Sequence, residues 1–355
     1  METFRIVLQY LLAILGFSLI MLVHEFGHYI FAKLNRIHVI EFFIGFGPKI
    51  IKFVSKRSGT MYGISAIPLG GYNRILGYDS EEKVSEDKKD MVFYNKPFYK
   101  KFLVIIGGGF FNILLTILLI GIYLSMGVFT PTNVINYIQP DSPAAIYGFE
   151  KDDRLIAVND KKITSWEEFS ALTKSNPGKT VTYTILRKGN EIKITTKLET
   201  VENQGFLGIS PQLVKQQIGF LNIIKESFKM TWDISVSYVK LFGMLFSGKI
   251  PFSEARPVSP IGVISIFQQS VSMGFQNFIL FVALVSLLLA FGNFLPILPV
   301  DGGHIIIIIA EAIKRKPIPR KAVEIYNTVG MVLVISLFVI GFIFDIVSPF
   351  KLPKM

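Results

Sequence analysis

The stretch FSLIMLVHEFGHYIFAK, residues 17–33, decides the reading of this chain, because it sets His24, Glu25 and His28 inside an otherwise apolar helical run. Residues four apart stand one above the other on a helix, so His24 and His28 offer two imidazoles to one point. That is half of a metal site. Glu25, one position on, is placed to take a proton from a water held there, which is the mechanical logic of the HExxH spacing. Chance supplies HExxH in long chains; the apolar flanks make it informative here, since an ionisable group inside a membrane is costly and marks function. The competing reading is a polar trio that bonds neighbouring helices together.

Composition agrees with a membrane setting. Of 355 residues 51% are hydrophobic, which points to a polytopic α-helical membrane protein rather than to two or three soluble domains. The net charge of +11 is gathered beside apolar spans, a cytoplasmic-face bias and not the basic, aromatic-interleaved surface of a nucleic-acid binder. With no cysteine, a disulfide framework and a thiol nucleophile are both excluded. The first apolar run starts at Phe4 and enters the HExxH segment without a small-residue cleavage site, so it reads as a retained span.

Four stretches are long enough to cross a bilayer: 4–31, 102–126, 277–299 and 325–347. Lys33, Arg36, Lys100 and Lys101 flank the first connection and KRKPIPRK, 314–321, fills the last, whereas Arg5, Lys351 and Lys354 are the only basic residues near the outer ends. The positive-inside rule then places both connections in the cytoplasm and both termini outside. Four blocks follow: 1–126 with the HExxH helix, a β-hairpin and the second span; an inserted soluble domain at 127–210; an interfacial segment at 211–276; and a C-terminal membrane half at 277–355.

Within the first block, residues 49–54 and 60–67 read as a hairpin that either offers its 60–67 edge to an added peptide strand or packs on the protein as an ordinary hairpin, and DSEEKVSEDKKD, 79–90, reads as a solvated linker. Span two carries IIGGGFFNILL, where the glycines suit close helix packing and Asn112 either packs or touches the site. In the soluble block, Ser165 and Glu168 form a capping box opening a helix, and 181–187 with 191–198 make a hairpin about Gly189 and Asn190. Residues 220–246 align Lys225, Lys229, Asp233 and Lys240 along one stripe, as in a helix lying at the membrane interface. The uncharged run 258–300 opens with a segment read as partly inserted or lying on the membrane surface.

The third span runs into NFLPILPVDGGHIIIIIAEAIKRK, where Pro296 and Pro299 break a helix at membrane depth and Asp301 follows. A carboxylate beside two imidazoles leaves a fourth position for water, the open arrangement of a catalytic zinc. His304 competes with Asp301 as third ligand; His38 lies outside the span and takes no role.

With HEFGH at 24–28, GFGP at 45–48, IPLGGY at 67–72 and NFLPILPVDGG at 293–303 in place, the chain resembles the site-2 protease family of intramembrane zinc metalloproteases, and within it the RseP branch. The stretch QPDSPAAIYGFEKDDRLIAVNDKKI similarly resembles a PDZ signature, so the implied architecture is four transmembrane helices, a membrane-associated β-hairpin and one inserted α+β PDZ domain. The resemblance implies Zn2+ held by His24, His28 and Asp301, catalysis by Glu25, and substrate held by Asn293 and Pro296 and along the hairpin by Gly63, Ile64, Ser65, Gly70 and Gly71. It implies a bacterial inner-membrane metalloendopeptidase that cuts single-span membrane proteins, anti-sigma factors or remnant signal peptides, after their extracytoplasmic domain has been removed. A peptide ligand for the PDZ domain and the lipid bilayer complete the expected partners. Two departures stand out: Val300 precedes the aspartate where many relatives have Leu, and there is room for one PDZ domain where relatives of the Gram-negative stress pathway carry two. Rival readings are a membrane scaffold with a structural metal, indifferent to Glu25→Gln, and a metal transporter, disfavoured by the lack of an inverted repeat.

Overall fold

The computed structural model describes residues 2–78, 84–250, 257–350 and 352. Part of the expected linker (79–83), residues 251–256 of the interfacial segment, and Lys351 and Lys354 lie outside the described residues. The chain divides into two units, 126–218 and the remainder.

The larger unit opens with α1 (Glu2–Leu34), followed by strands β1 (Val39–Val54) and β2 (Met61–Ile75), a 3-10 turn at Glu86–Met91 and helix α2 (Phe98–Ser125). α1 and α2 approach closely because Gly27 faces Gly107: a Cβ on Gly27 would run into the Gly107 carbonyl, and one on Gly107 would lie 2.7 Å from the Gly27 carbonyl oxygen. Small residues at a membrane helix contact let two backbones meet in this way.

The ribbon between them is not the simple hairpin expected. β1 bends at Gly45 and Gly47, both at positive φ, and β2 bends around Pro68 and Gly70. Each strand therefore supplies two arms, and pairing orders them 71–75, 41–44, 61–64, 51–54: Phe42 faces both Asn73 and Tyr62, while Gly63 faces both Phe43 and Lys52. Residues 61–64 thus have strands on both sides, and the expected open edge at 60–67 does not exist there. The outer arms are 51–54 and 71–75, the latter lying against α1, where Ser18 donates a hydrogen bond to the Pro68 carbonyl. Two bends turned two strands into four arms, and a hydrophobic-alternation reading cannot see such a fold-back.

After the inserted unit come α5 (Phe220–Phe246), α6 (Pro260–Ser272), α7 (Phe275–Asn293), α8 (Asp301–Lys314) and α9 (Arg320–Val347). Among the described residues, α1, α2, α7 and α9 are long and apolar enough to cross a membrane. The chain is an integral membrane protein. The third crossing stops at Asn293 rather than continuing to 299, because Pro296 and Pro299 cannot extend a helix. α6, at 13 residues and about 20 Å, is too short to cross and packs on α1 and α7; Gln268 on it donates to Gln9 of α1 at 2.7 Å. α5 leaves Lys225, Lys229, Asp233 and Lys240 exposed and turns Ser227 and Thr231 inward, where Ser227 packs on Gly121 of α2.

The smaller unit holds β3 (Val128–Ile138), α3 (Pro143–Ile146), β4 (Arg154–Val158), β5 (Lys161–Lys162), α4 (Trp166–Lys174), β6 (Thr180–Arg187), β7 (Asn190–Lys197), β8 (Glu199–Val201), β9 (Gln204–Phe206) and β10 (Ile209–Gln216). Its main sheet runs β10-β3-β4-β6-β7, closed over a core of Ile135, Phe149, Leu155, Phe169, Tyr183 and Ile185. The unit outlasts the expected boundary at 210, because β10 stays paired with β3 as far as Gln216 opposite Val128. Ser165 caps α4 by accepting from Glu168 N at 3.3 Å, but the Glu168 carboxylate returns to Thr164 N at 2.8 Å, one residue before the cap. A buried carboxylate, Asp153, is held by two 2.7 Å bonds from Arg187 and one of 2.8 Å from Glu150 N.

Candidate metal centre

Three groups converge where α1, α2 and the start of α8 meet. His24 Nε2 and His28 Nε2 stand 3.1 Å apart, and Asp301 Oδ2 lies 3.2 Å from the first and 3.3 Å from the second. Asp301 Oδ2 is buried and makes no well-aligned hydrogen bond of its own. These separations fit a shared metal: donors about 2.0 Å from a tetrahedral zinc are about 3.3 Å from one another. Both imidazoles are nearly buried, and the Asp301 Oδ2 beside them is a buried acceptor without a hydrogen bond, which suits a metal ligand.

Each imidazole is steadied from behind by α2. His28 Nδ1 donates to the Val104 carbonyl at 2.8 Å, which turns Nε2 toward the cluster. Asn112, fully buried, sets its Nδ2 3.5 Å from His24 Nδ1, and its Oδ1 has no hydrogen-bond partner. With a metal on His24 Nε2, Nδ1 would carry the proton, and turning the amide over would bring the unpartnered Asn112 oxygen round to accept it. Gly108 completes the wall: a Cβ there would lie 2.5 Å from His24 Cε1 and 2.5 Å from His28 Nε2. The GGG run therefore serves the histidines as well as helix packing.

A cavity of about 420 Å³ opens onto the cluster, lined among others by Glu25, Asn73, Arg74, Asn293, Asp301 and His304. Glu25 is reached from the ribbon by Asn73, whose Nδ2 lies 3.3 Å from Glu25 Oε2. Asn293, the last residue of α7, lines the cavity, and His304 lines it with its ring 4.8 Å from that of Tyr78, outside the donor cluster. Pro296 is not on the lining; its carbonyl accepts from Tyr326 on α9 at 2.6 Å.

The ribbon residues expected to bind substrate divide. Gly63 and Ile64 are inside the four-armed sheet and Ser65 is buried opposite Lys49; Gly63 makes room for the Phe43 ring. None of the three lines the cavity. Gly70, at φ +82, and Gly71 let the ribbon approach α1 and β1: a Cβ on Gly70 would lie 2.7 Å from Met21 Cβ, and one on Gly71 2.7 Å from the Phe43 carbonyl oxygen. Asn73, Arg74 and Tyr78 were not singled out from the sequence. An asparagine in a strand is disfavoured, and that local conflict was the signal available for Asn73.

A two-imidazole, one-carboxylate cluster with an adjoining glutamate, carried by the membrane-crossing α1 and the first turn of the short α8, is the arrangement of a metallohydrolase of the membrane. Residues 12–337 match the model of Peptidase family M50, and the chain belongs to that family. It is 31% identical over 357 residues to a protein of Clostridium acetobutylicum whose name describes a zinc metalloprotease, covering 98% of this chain and 99% of that one. A similarly named protein of Clostridium perfringens is 34% identical over 344 residues, covering 95% and 98%. Among solved structures, the PDZ domain of the SdrC-like protein of Listeria monocytogenes aligns at 20% identity over 24% of this chain and 90% of its own, with a TM-score of 0.21. The protein is a membrane zinc metalloprotease of the site-2 protease family.

Proposed function

We propose that the protein carries out regulated intramembrane proteolysis, with His24, His28 and Asp301 holding the zinc and Glu25 acting as general base. The single observation behind this reading is the set of three donor atoms 3.1–3.3 Å apart, with Glu25 on the same cavity. Zinc held there supplies Lewis acidity to the scissile carbonyl and lowers the pKa of water.

The chain's own residues supply the rest. A helical substrate shields its amides, so it must unwind before attack, and the 71–75 arm offers an outer edge beside the cavity on which an extended backbone adds as a further strand. That edge takes the part first expected of 60–67. Glu25 takes a proton from the attacking water and returns it to the leaving amine. Asn293, at the cavity's other wall, donates to the substrate backbone. The substrates are single-span membrane proteins, anti-sigma factors or remnant signal peptides, already shorn of their extracytoplasmic domain. The 126–218 unit acts as a PDZ domain on the extracytoplasmic side of a bacterial inner membrane, where a peptide ligand or simple obstruction enforces that order. Charge placement supports the orientation, with Lys33, Arg36 and the 314–321 cluster inside.

The test is cleavage of a single-span substrate lacking its exported domain by purified protein in detergent, beside Glu25→Gln, with zinc quantified in both. Cleavage by the parent alone, with zinc retained in the variant, is the expected outcome. Equal cleavage by the variant would overturn the role given to Glu25.

A further inference from the structure

We propose that Asn73 is a positioning residue for Glu25: its side-chain amide, carried on the outer arm of the ribbon, holds the carboxylate in one orientation toward the cavity. The inference rests on Glu25 serving as the base, as proposed above.

Both hydrogen bonds that the Asn73 amide makes go to the same residue. Nδ2 lies 3.2 Å from the Glu25 carbonyl oxygen and 3.3 Å from Oε2. The two protons of one NH2 group thus grip the backbone and the side chain of Glu25 together, fixing the side chain relative to its own helix. Both partners are acceptors, so the nitrogen and not the oxygen must face them. Asn73 Oδ1 is buried and makes no hydrogen bond, so among the described residues the amide's hydrogen bonds go to Glu25 alone. Strands favour β-branched and aromatic residues and disfavour asparagine, and here the amide stands opposite Phe42 in a sheet of aromatic pairs such as Phe43 with Tyr72. A glutamate has three side-chain torsions, and a base that wanders among them forfeits part of the advantage of proximity. Asn73 also sits on the 71–75 arm, so a substrate strand added there would bear on the strand that orients the base.

The alternative is a structural pin between ribbon and helix, acting through the Glu25 carbonyl alone. Kinetics separate the two. The full-length zinc-loaded protein is assayed on the single-span substrate as Asn73→Val, which suits a strand and lacks the donor, Asn73→Asp, isosteric and without the donor when ionised, and Asn73→Gln, which keeps the NH2 group. Expected is a fall in kcat of about tenfold or more for Val and Asp with KM within about twofold, and partial recovery in Gln, at unchanged bound zinc and unchanged melting temperature. Parental kcat in Val and Asp would overturn the proposal, as would a loss confined to KM, a loss that tracks zinc or melting temperature, or identical behaviour of Asp and Gln. If Asn73→Val does not fold, the comparison of Asp with Gln decides. A parent that binds zinc but cleaves nothing refutes the protease reading instead, so the two failures are distinct.

Discussion

Adding one methyl group at Gly108 should cost the protein its metal while leaving its fold intact. The Cβ of Gly108→Ala would stand 2.5 Å from His24 Cε1, 2.5 Å from His28 Nε2 and 2.7 Å from His24 Nε2. Carbon contacts relax at about 3.5–4.0 Å, so the rings or the helix must give by about 1 Å. α1 cannot retreat as a body without opening the Gly27 contact with Gly107 and the bond from His28 to Val104. The displacement therefore falls on the imidazoles, whose Nε2 atoms must keep their 3.1 Å spacing to share a metal with Asp301. Metal sites tolerate about 0.2 Å, and a reacting group misplaced by about 1 Å loses on the order of 100-fold in rate. Stability falls by no more than about 2 kcal/mol, because alanine gains about 1 kcal/mol of helix propensity over glycine against an overpacking cost of about 1–3 kcal/mol. Zinc content, cleavage rate and melting temperature are measured on the parent, Gly108→Ala and the control Gly243→Ala, which has nothing within 4 Å of the new methyl. Stoichiometric zinc with parental cleavage in Gly108→Ala would refute the reasoning, and so would equal losses in the control.

Two further expectations concern the 126–218 unit. Arg187→Ala strands the Asp153 carboxylate, whose side chain is 1% exposed, and should cost about 3–5 kcal/mol, read as a lower denaturant midpoint and faster proteolysis within the unit; a loss below about 1 kcal/mol would refute it. Burial pushes the Tyr183 phenol up to about 12 from its ordinary 10.0, only partly offset by the bond to Thr173. The folded value lies above the unfolded one, so this contribution to stability is complete below about pH 10 and is lost as pH rises toward about 12. Tyr183→Phe should flatten that alkaline decline in the unit's unfolding midpoint, and an unchanged slope in the variant would count against it.

What the sequence reveals of the fold depends on the range of the interaction. The facing of His24 and His28 follows from helix geometry alone, and a helix break at Pro296 and Pro299 was legible too, though not that the span ends at Asn293 rather than 299. The ribbon departs from a simple hairpin because its register is set by two internal bends, and 61–64 has a strand on each side where a hairpin would leave one side open. The unit boundary moved to 218 because β10 continues for the sake of β3, some eighty residues away.

Composition, span lengths, charge placement and the two motifs are one-dimensional quantities, and through local rules of periodicity and solvation they point to a membrane protein with a candidate metal-binding helix. The sequence by itself carried that much. Only the tertiary structure decided that Gly108 makes room for the histidines, that Asn73 reaches Glu25, and that 71–75 is the outer edge beside the cavity. Each of these joins residues far apart in the chain, and such contacts are set by how close two backbones can pack, which no local rule contains.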